Sequence, residues 1–342
     1  MAKVITFGEI MLRLSPPGFE RFFQSPILSA TFGGGEANVA VSLAHFGFDS
    51  YYVTRLPAHD IGEAAVRALR AEGVRTDFII RGGDRVGIYF AEAGASQRAS
   101  NVVYDRAYSA ISDLKPGMIE WGRVFDGADW FHVTGITPAL GDAAAACTRE
   151  AISAAKQANV RVSVDLNYRK KLWSETRAQE VMRPLMEHVD LVVANEEDIQ
   201  SVLGLEVAST NVTAGRLNLA GYEQVAREVS RTFGPGLIAI TLRESVSASD
   251  NGWSAVLWDN ARSQFFRSQR YDVRLVDRIG GGDSFAAGLI YALVSERNPE
   301  AALRFAVAAS ALKQTIPGDF NRVSLAEVDR LVQGDASGRV QR

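Results

Sequence analysis

Apolar and polar positions along the chain form a pattern that predicts short strands separated by longer amphipathic helices. Strands are predicted at residues 4–7, 51–54, 130–133, 161–166, 191–194 and 237–242. Helices are predicted at residues 36–46, 61–72, 142–159, 178–188, 222–233, 283–294, 299–314 and 325–332, with a short one that ends at Leu203. This alternation favours an α/β fold built on a doubly wound, mostly parallel sheet with helices on both faces.

Polar side chains stand where several predicted strands end. Glu9 follows the first strand, Asp165 and Asn167 follow another, and Asn195 and Thr241 mark the ends of the next two. In a doubly wound sheet, ligands bind outside the carboxyl ends of the strands. We therefore expect a binding site along this edge of the sheet.

Two segments break the alternation of strands and helices. Residues 11–31 are apolar and aromatic and contain three prolines, and residues 86–104 hold two β-like runs around a polar turn. Together they predict a small second sheet that projects from the core. Because we find no long linker and no repeat, we expect a single domain over residues 1–335 and a frayed polar tail at residues 336–342.

Composition and charge exclude several classes of partner. The 342 residues carry a net charge of −3, and no basic arm or stripe suggests a nucleic-acid partner. No apolar stretch reaches the roughly 20 residues that a membrane helix needs, and the N-terminus lacks the pattern of a signal peptide. The single cysteine, Cys147, cannot form an internal disulfide. We therefore expect a cytoplasmic protein that acts on a small molecule.

The most informative segment is a run of three glycines at residues 280–282, which leads into Asp283 and a predicted helix. Glycines let backbone amides converge, and a helix N-terminus adds unpaired N–H groups, so the segment can bind phosphate oxygens. An aspartate there is explained if it takes a proton from a hydroxyl that attacks the phosphate. The alternative is a plain turn with an aspartate N-cap. No lysine follows, so the segment is not a P-loop.

Together with Asp277, this segment resembles the C-terminal signature of the PfkB (ribokinase-like) carbohydrate kinases. Residues 33–40, with the sequence GGGEANVA, resemble the family's glycine-glycine and Asn-x-Ala motif, and residues 195–198, NEED, resemble its Asn-x-x-Glu motif. The motifs occur in the family's order, and the resemblance runs from about residue 4 to residue 332. It implies a kinase that uses ATP and Mg²⁺.

For the fold, the resemblance implies a small β-sheet lid over the core. The lid segments are expected at about residues 11–32 and 85–107, where the alternation breaks down. A lid excludes water from a transferable phosphoryl group and so limits hydrolysis. Because lids in this family often pair between subunits, the resemblance also implies a homo-oligomer that forms through the lid.

The resemblance further assigns roles to single residues. Those expected to bind the sugar substrate are Gly34, Asn38, Tyr89, Tyr104, Arg106, Arg169 and Asp283. Asp283 is also the implied base, and the amides of Gly280, Gly281 and Gly282 are implied to stabilise the moving phosphoryl group. The residues implied at the nucleotide are Asn195, Thr241, Arg243, Gly280 and Gly282, and those implied at the magnesium are Asn195 and, through water, Asp198.

The class of substrate is suggested by two further segments. Tyr104 and Arg106, and the run Asp165, Asn167 and Arg169, resemble segments that bind the substrate carboxylate in 2-keto-3-deoxygluconate kinases. A guanidinium group suits a carboxylate because both are planar and bidentate. The resemblance therefore implies phosphorylation of the primary hydroxyl of a sugar acid, giving the 6-phosphate of 2-keto-3-deoxygluconate.

Several alternatives stay open at this point. The Asp-x-Asn-x-Arg segment also occurs in fructokinase-like relatives, Tyr104 and Arg106 can be plain lid residues, and Arg169 can belong to a surface charge run. A sugar-binding regulator without activity is a third hypothesis. Three residues depart from the family pattern. Asp198 replaces a glutamate, Arg243 replaces a glycine, which leaves the nucleotide preference undecided, and Arg278 replaces a threonine and has no assigned role.

Overall fold

Strands supply the framework of the computed structural model, which describes residues 1–206, 219–335 and 338. In chain order they are β1 (Lys3–Phe7), β2 (Met11–Ser15), β3 (Ser29–Gly33), β4 (Asp49–Leu56), β5 (Ile79–Arg81), β6 (Gly87–Glu92), β7 (Asn101–Asp105), β8 (Trp130–Thr134), β9 (Arg161–Asp165), β10 (Leu191–Ala194), β11 (Leu237–Ser245), β12 (Asp250–Asp259), β13 (Gln264–Arg267) and β14 (Tyr271–Arg274).

Helices connect most of these strands. In chain order they are α1 (Gly35–His45), α2 (Asp60–Ala71), α3 (Trp121–Phe125), α4 (Ile136–Ala139), α5 (Asp142–Gln157), α6 (Glu175–Met182), α7 (Glu196–Asp198), α8 (Leu219–Phe233), α9 (Gly281–Val294), α10 (Pro299–Lys313) and α11 (Leu325–Val332). None of the helices in the described ranges combines the length and apolar character needed to cross a bilayer.

The large sheet has the strand order β13-β12-β11-β10-β9-β8-β1-β4-β5, and β14 also pairs with β12. All pairings from β11 to β5 are parallel, whereas β12 runs antiparallel to β11, β13 and β14. The predicted fold class, a mostly parallel sheet with helices on both faces and a small second sheet, is confirmed.

Side chains of the central strands point alternately to two apolar layers. Ile5 and Phe131 pack in one layer with the buried faces of α5, α6 and α8. Their chain neighbours Val4 and Trp130 pack in the other layer with α1, α9 and α10. Every residue of β8 and β10 is buried. Burial on both faces explains why these strands appear in the sequence as continuous apolar runs.

The second sheet, called the lid here, has the strand order β3-β2-β6-β7. Strand β2 pairs antiparallel with β3 and parallel with β6, and β6 pairs antiparallel with β7. Its inner face carries a small apolar cluster of Met11, Tyr89 and Ala91, against which Ile279 of the core packs. Its outer strands β3 and β7 are largely exposed.

The sequence prediction differs from the structure in several elements, and the short elements β5, α3 and α4 were not predicted. The strands β12, β13 and β14 were also not predicted, because polar residues interrupt β12 and its place between β11 and β13 is set by long-range pairing. The predicted helix at residues 178–188 ends as an α-helix at Met182 and continues as the 3₁₀ turn Arg183–His188, because Pro184 has no N–H to donate. The predicted tail at 336–342 lies, apart from Gly338, outside the described residues.

Close packing of α9 against α10 generates a stability prediction. A Cβ added at Gly288 would lie 2.9 Å from the Cα of Ala306 and 3.3 Å from the Cβ of Ala309. We expect Gly288→Ala to lower the midpoint of thermal unfolding, because overpacking costs about 1–3 kcal/mol and the helix preference of alanine offsets only about 1 kcal/mol. Gly122→Ala is the matched control, since a Cβ at Gly122 meets no atom within 4 Å. Equal midpoints for the two variants would contradict the packing.

Candidate active site

A cleft of about 700 Å³ lies at the carboxyl ends of β9, β10 and β11, between the core and the lid. The N-termini of α1 and α9 form part of its lining. The cleft brings together every residue to which the sequence assigned a role: Gly34, Asn38, Tyr89, Tyr104, Arg106, Arg169, Asn195, Asp198, Thr241, Arg243, Gly280, Gly281, Gly282 and Asp283. These residues come from segments far apart in the chain, so the fold alone makes them neighbours.

The glycine run forms the N-terminus of α9, which begins two residues earlier than predicted. Gly280 is the N-cap and has a φ of 83°, in the left-handed region that favours glycine. A Cβ at Gly280 would lie 2.2 Å from the carbonyl oxygen of Asp319, whereas one at Gly282 meets nothing within 4 Å. The first-turn amides of α9 have no carbonyl of their own helix in front of them. The amide of Gly281 donates to the carbonyl oxygen of Arg278 at 3.2 Å, so the amides of Gly282 and Asp283 are the ones that could bind an anion at the floor of the cleft.

Asp283 is held by a hydrogen bond from the neighbouring helix N-terminus. The side-chain amide of Asn38 donates to its Oδ2 at 2.7 Å, and Oδ1 of Asn38 accepts from the amide of Gly34 at 3.2 Å. Burial raises the pKa of Asp283 to about 6, although the bond from Asn38 acts in the opposite direction. A carboxylate with this pKa is ionised at neutral pH and is basic enough to accept a proton from a hydroxyl.

Two further carboxylates lie beside Asp283. Asp165 at the end of β9 is buried, and burial together with the charges of Asp198 and Asp283 raises its pKa well above the ordinary range. Burial also raises the pKa of Asp198 to about 6, against the effect of Arg169. The charge of Arg169 favours the ionised form of all three carboxylates, so this guanidinium is electrostatically coupled to the whole cluster.

Asp198 and Asn195 form a reciprocal cap at the start of α7. Asn195 Oδ1 accepts from the amide of Asp198 at 2.8 Å, and the carboxylate of Asp198 accepts from the amides of Asn195 and Tyr168 at 3.4 and 2.9 Å. Within the described ranges, no group of three His, Cys, Asp or Glu side chains could hold a metal ion. These residues therefore do not surround a metal ion directly. The expected contact of Asp198 to magnesium through water stays a prediction.

The four arginines of the cleft differ in their partners. Arg106 forms a buried ion pair with Glu9, which also accepts from the hydroxyl of Ser109. Arg169 donates to the carbonyl oxygen of Tyr168 at 3.0 Å and has no carboxylate within ion-pair distance among the residues described. The guanidinium groups of Arg243 and Arg278 line the cleft and make neither an ion pair nor a hydrogen bond with the described part of the chain. The cleft thus holds positive charge that is free to meet an anionic ligand.

A network that the sequence did not reveal joins the lid to the core. Asp319 accepts from the hydroxyl of Tyr89 at 2.5 Å and from Arg13 at 2.8 Å, and Arg13 also pairs with Asp277 at 2.7 Å. Burial acts to lower the pKa of Arg13, but the two aspartates outweigh burial and raise it. The hydroxyl of Tyr89 is therefore engaged by the core, and its ring remains in the wall of the cleft.

Two other residues were missed because nothing local marks them. Oε1 of the buried Glu36 accepts from the amide and hydroxyl of Thr134 and from the hydroxyl of Thr137, at 2.7–2.8 Å. Burial raises the pKa of Glu36, and these three bonds oppose that shift. Asn251 of β12 is 2% exposed and lines the cleft, yet neither polar atom of its side chain finds a partner in the described structure. Such an amide is suited to a ligand.

Comparison with known proteins agrees with this geometry. Residues 1–321 match the pfkB family carbohydrate kinases, and the chain belongs to that family. The 2-dehydro-3-deoxygalactonokinase of Haloferax volcanii is 32% identical over 339 residues, which cover 98% of each chain. The 2-dehydro-3-deoxygluconokinase of Bacillus subtilis is 27% identical over 332 residues, which cover 94% of this chain and 93% of that one.

A solved structure is more similar still. The crystal structure of the 2-dehydro-3-deoxygluconokinase of Thermotoga maritima is 49% identical to this chain, with a TM-score of 0.94. The alignment covers 98% of this chain and 100% of that chain. The family expected from the motifs is thereby confirmed, and this protein is a carbohydrate kinase.

The raised pKa of Asp283 predicts how activity depends on pH. If Asp283 accepts the proton, kcat/KM should be level above pH 7 and should fall by about tenfold per pH unit well below pH 6. Because Asp198 has a similar pKa, Asp198→Asn is the control, and it should keep this acidic limb. The measurement is a pH profile of phosphoryl transfer. Loss of the limb in Asp198→Asn would assign it to Asp198 instead.

Proposed function

We propose that this kinase transfers the γ-phosphoryl group of ATP to the primary hydroxyl of 2-keto-3-deoxygluconate (2-dehydro-3-deoxygluconate), giving the 6-phosphate and ADP. The observation that carries the proposal is the guanidinium of Arg169, which shares the cleft with Asp283 and has no carboxylate of the described residues within ion-pair distance. A neutral sugar has no group that calls for such a cation, whereas a sugar acid has a carboxylate. The named activities of the relatives in Thermotoga maritima and Bacillus subtilis support the same substrate.

The chemical step needs a base, an acceptor position and charge stabilisation. Asp283 takes the hydroxyl proton as that oxygen forms its bond to the γ-phosphorus, and the bond from this phosphorus to the β–γ bridging oxygen breaks. The first-turn amides of α9, at Gly282 and Asp283, face the negative charge on the transferring group. Asn38 keeps Asp283 oriented through its hydrogen bond of 2.7 Å. The lid residue Tyr89 excludes water from this point.

The nucleotide belongs on the side of the cleft formed by β11 and β12. This side is lined by Thr241, Asn251 and the guanidinium groups of Arg243 and Arg278, which form no ion pair with the residues described. Arg278 had no assigned role in the sequence. In this proposal its charge meets the phosphates, as does that of Arg243.

Magnesium, when bound with the phosphates, supplies positive charge that neutralises their oxygens. The residues that would hold it are Asn195 and Asp198. The contact would be through water, because both carboxylate oxygens of Asp198 already accept hydrogen bonds from backbone amides.

Three other expectations stay proposals for this chain. Pairing of two lids in a homo-oligomer is supported by exposed apolar side chains in and beside the lid, of Phe19, Phe23, Ile27 and Val103. A cytoplasmic location is supported by the free, buried thiol of Cys147. The single domain over residues 1–335 is likewise a proposal.

The first test measures ADP release with Mg²⁺ and ATP on four acceptors: 2-keto-3-deoxygluconate, 2-keto-3-deoxygalactonate, fructose and ribose. We expect the keto acids to exceed the neutral sugars in kcat/KM by about 100-fold or more, because a site built around an ion pair rejects analogues that lack the charge. We expect Asp283→Asn to lower kcat by about 100-fold to 10,000-fold.

Each result separates one alternative from the others. A preference for fructose would refute the sugar-acid proposal and leave the kinase intact. No turnover on any acceptor by the wild type would favour the sugar-binding regulator. Full activity of Asp283→Asn would remove Asp283 as the base.

A second test compares the two arginines that the sequence proposed for the carboxylate. Arg169→Met should raise KM for the keto acid by about 10-fold to 100-fold, because the bond to the substrate carboxylate is lost. Arg106→Met should destabilise the fold by roughly 3–5 kcal/mol, because it leaves Glu9 buried and unpaired. KM on fructose, measured in parallel, should not respond to Arg169→Met. An unchanged KM for the keto acid would remove Arg169 from the carboxylate site.

A further inference from the structure

Lys313, the last residue of α10, carries a fully buried ammonium group, since its side chain is 0% exposed. Charged lysine is rarely buried to this extent, because removing its charge from water is costly unless strong acceptors replace the hydration. No role was assigned to this residue from the sequence, and it is not among the residues that line the cleft. Its partners therefore show what the charge does.

The partners of the ammonium are backbone carbonyl oxygens. Nζ of Lys313 donates to the carbonyl oxygens of Gly318 at 2.6 Å, of Ile279 at a shorter distance, and of Asp277 at 3.4 Å. Among the described residues no carboxylate oxygen lies within ion-pair distance of Nζ. Such a set of carbonyl oxygens is how proteins hold a monovalent cation such as K⁺.

The carbonyl groups belong to the two segments that build the cleft. Ile279 directly precedes Gly280, the N-cap of α9, and Gly318 directly precedes Asp319, which binds Tyr89 of the lid. The carboxylate of Asp277 bridges the same two segments, since it accepts from the amides of Ile279 and Gly318 at 3.1 Å each. The ammonium of Lys313 thus binds the carbonyl oxygens of Ile279 and Gly318, and the carboxylate of Asp277 binds their amides. Together they hold the two backbone segments in place.

The surroundings act on the charge of the lysine in both directions, and their net effect is a lowered pKa. Burial lowers the pKa of Lys313, whereas the carboxylates of Asp277, Asp319 and Asp283 act to raise it, and Arg13 acts with burial. A neutral amine would have only two N–H groups for three carbonyl oxygens.

We infer that Lys313 is a positioning residue that supplies, from within the chain, the monovalent positive charge that orders the glycine turn of the phosphoryl-transfer site. The inference rests on the proposed function of that turn. It follows that the enzyme needs no added monovalent cation, because the ammonium group of Lys313 already fills the position where such an ion would coordinate the carbonyl oxygens.

The experiment measures kcat and the unfolding midpoint at constant ionic strength in tetramethylammonium chloride, with and without KCl or NH₄Cl. We expect the wild type to respond by less than about twofold. Lys313→Ala removes the charge and leaves room for a small cation, and its kcat should fall by about 100-fold. K⁺ or NH₄⁺ should restore much of the lost kcat in a saturable way and should raise the unfolding midpoint of this variant.

Two further variants make the result specific. Lys313→Met removes the charge but keeps the volume, so its lower kcat should not respond to K⁺ or NH₄⁺. Lys156→Ala is the matched control, because Lys156 of α5 is partly exposed and pairs with Asp190 on the surface. It should keep the wild-type kcat and show no response to the added cations.

Three outcomes would overturn the inference. They are strong activation of the wild type by K⁺, full activity of a folded Lys313→Ala in tetramethylammonium, and a folded but impaired Lys313→Ala that no cation restores. If Lys313→Ala does not fold, the response of the wild type decides. If the wild type turns over no acceptor in any salt, the proposed function has failed, and the unfolding midpoints of Lys313→Ala still test the cation site.

Discussion

The hydrogen bond from Asn38 to Asp283 is the contact on which the site depends, because it joins the N-termini of two helices across the cleft. Helix α1 follows the lid strand β3, and α9 follows the glycine run. Both helices begin with glycines at positions where a side chain would strike backbone or would fill the cleft. The bond fixes the carboxylate of Asp283 beside the amides at the start of α9, so that the proposed base and the proposed anion site lie together.

Buried ion pairs and a hydrogen bond attach the lid to the core. Asp319 binds both Arg13 and Tyr89, and Asp277 binds Arg13 from the other side. Below them the ammonium of Lys313 binds the carbonyl oxygens that precede the glycine turn and Asp319. The lid and the glycine turn therefore share one buried polar network. A displacement of the lid would shift the hydrogen bonds that hold the glycine turn.

The cleft contains several buried or half-buried ionisable side chains, which are rare in a protein core. Burial raises the pKa of Asp165, Asp198 and Asp283, and Arg169 is the cation that opposes this shift at all three carboxylates. The guanidinium groups of Arg243 and Arg278 add positive charge and have no ion-pair partner among the described residues. Buried charges are costly in the free protein, and in the proposed function the phosphates and the substrate carboxylate are the partners of these arginines.

The sequence by itself determined the alternation of strands and helices, the glycine run with Asp283 and the family motifs, because each is a local pattern along the chain. Only the tertiary structure decided which charges pair, since Arg13 and Asp319 lie 306 residues apart and Tyr89 and Asp319 lie 230 apart. It also decided that Arg106 forms an ion pair with Glu9, that Arg169 has no such partner among the described residues, and that β12 joins the sheet. Contacts between distant segments leave no periodic signal in a sequence, so folding alone brings them together.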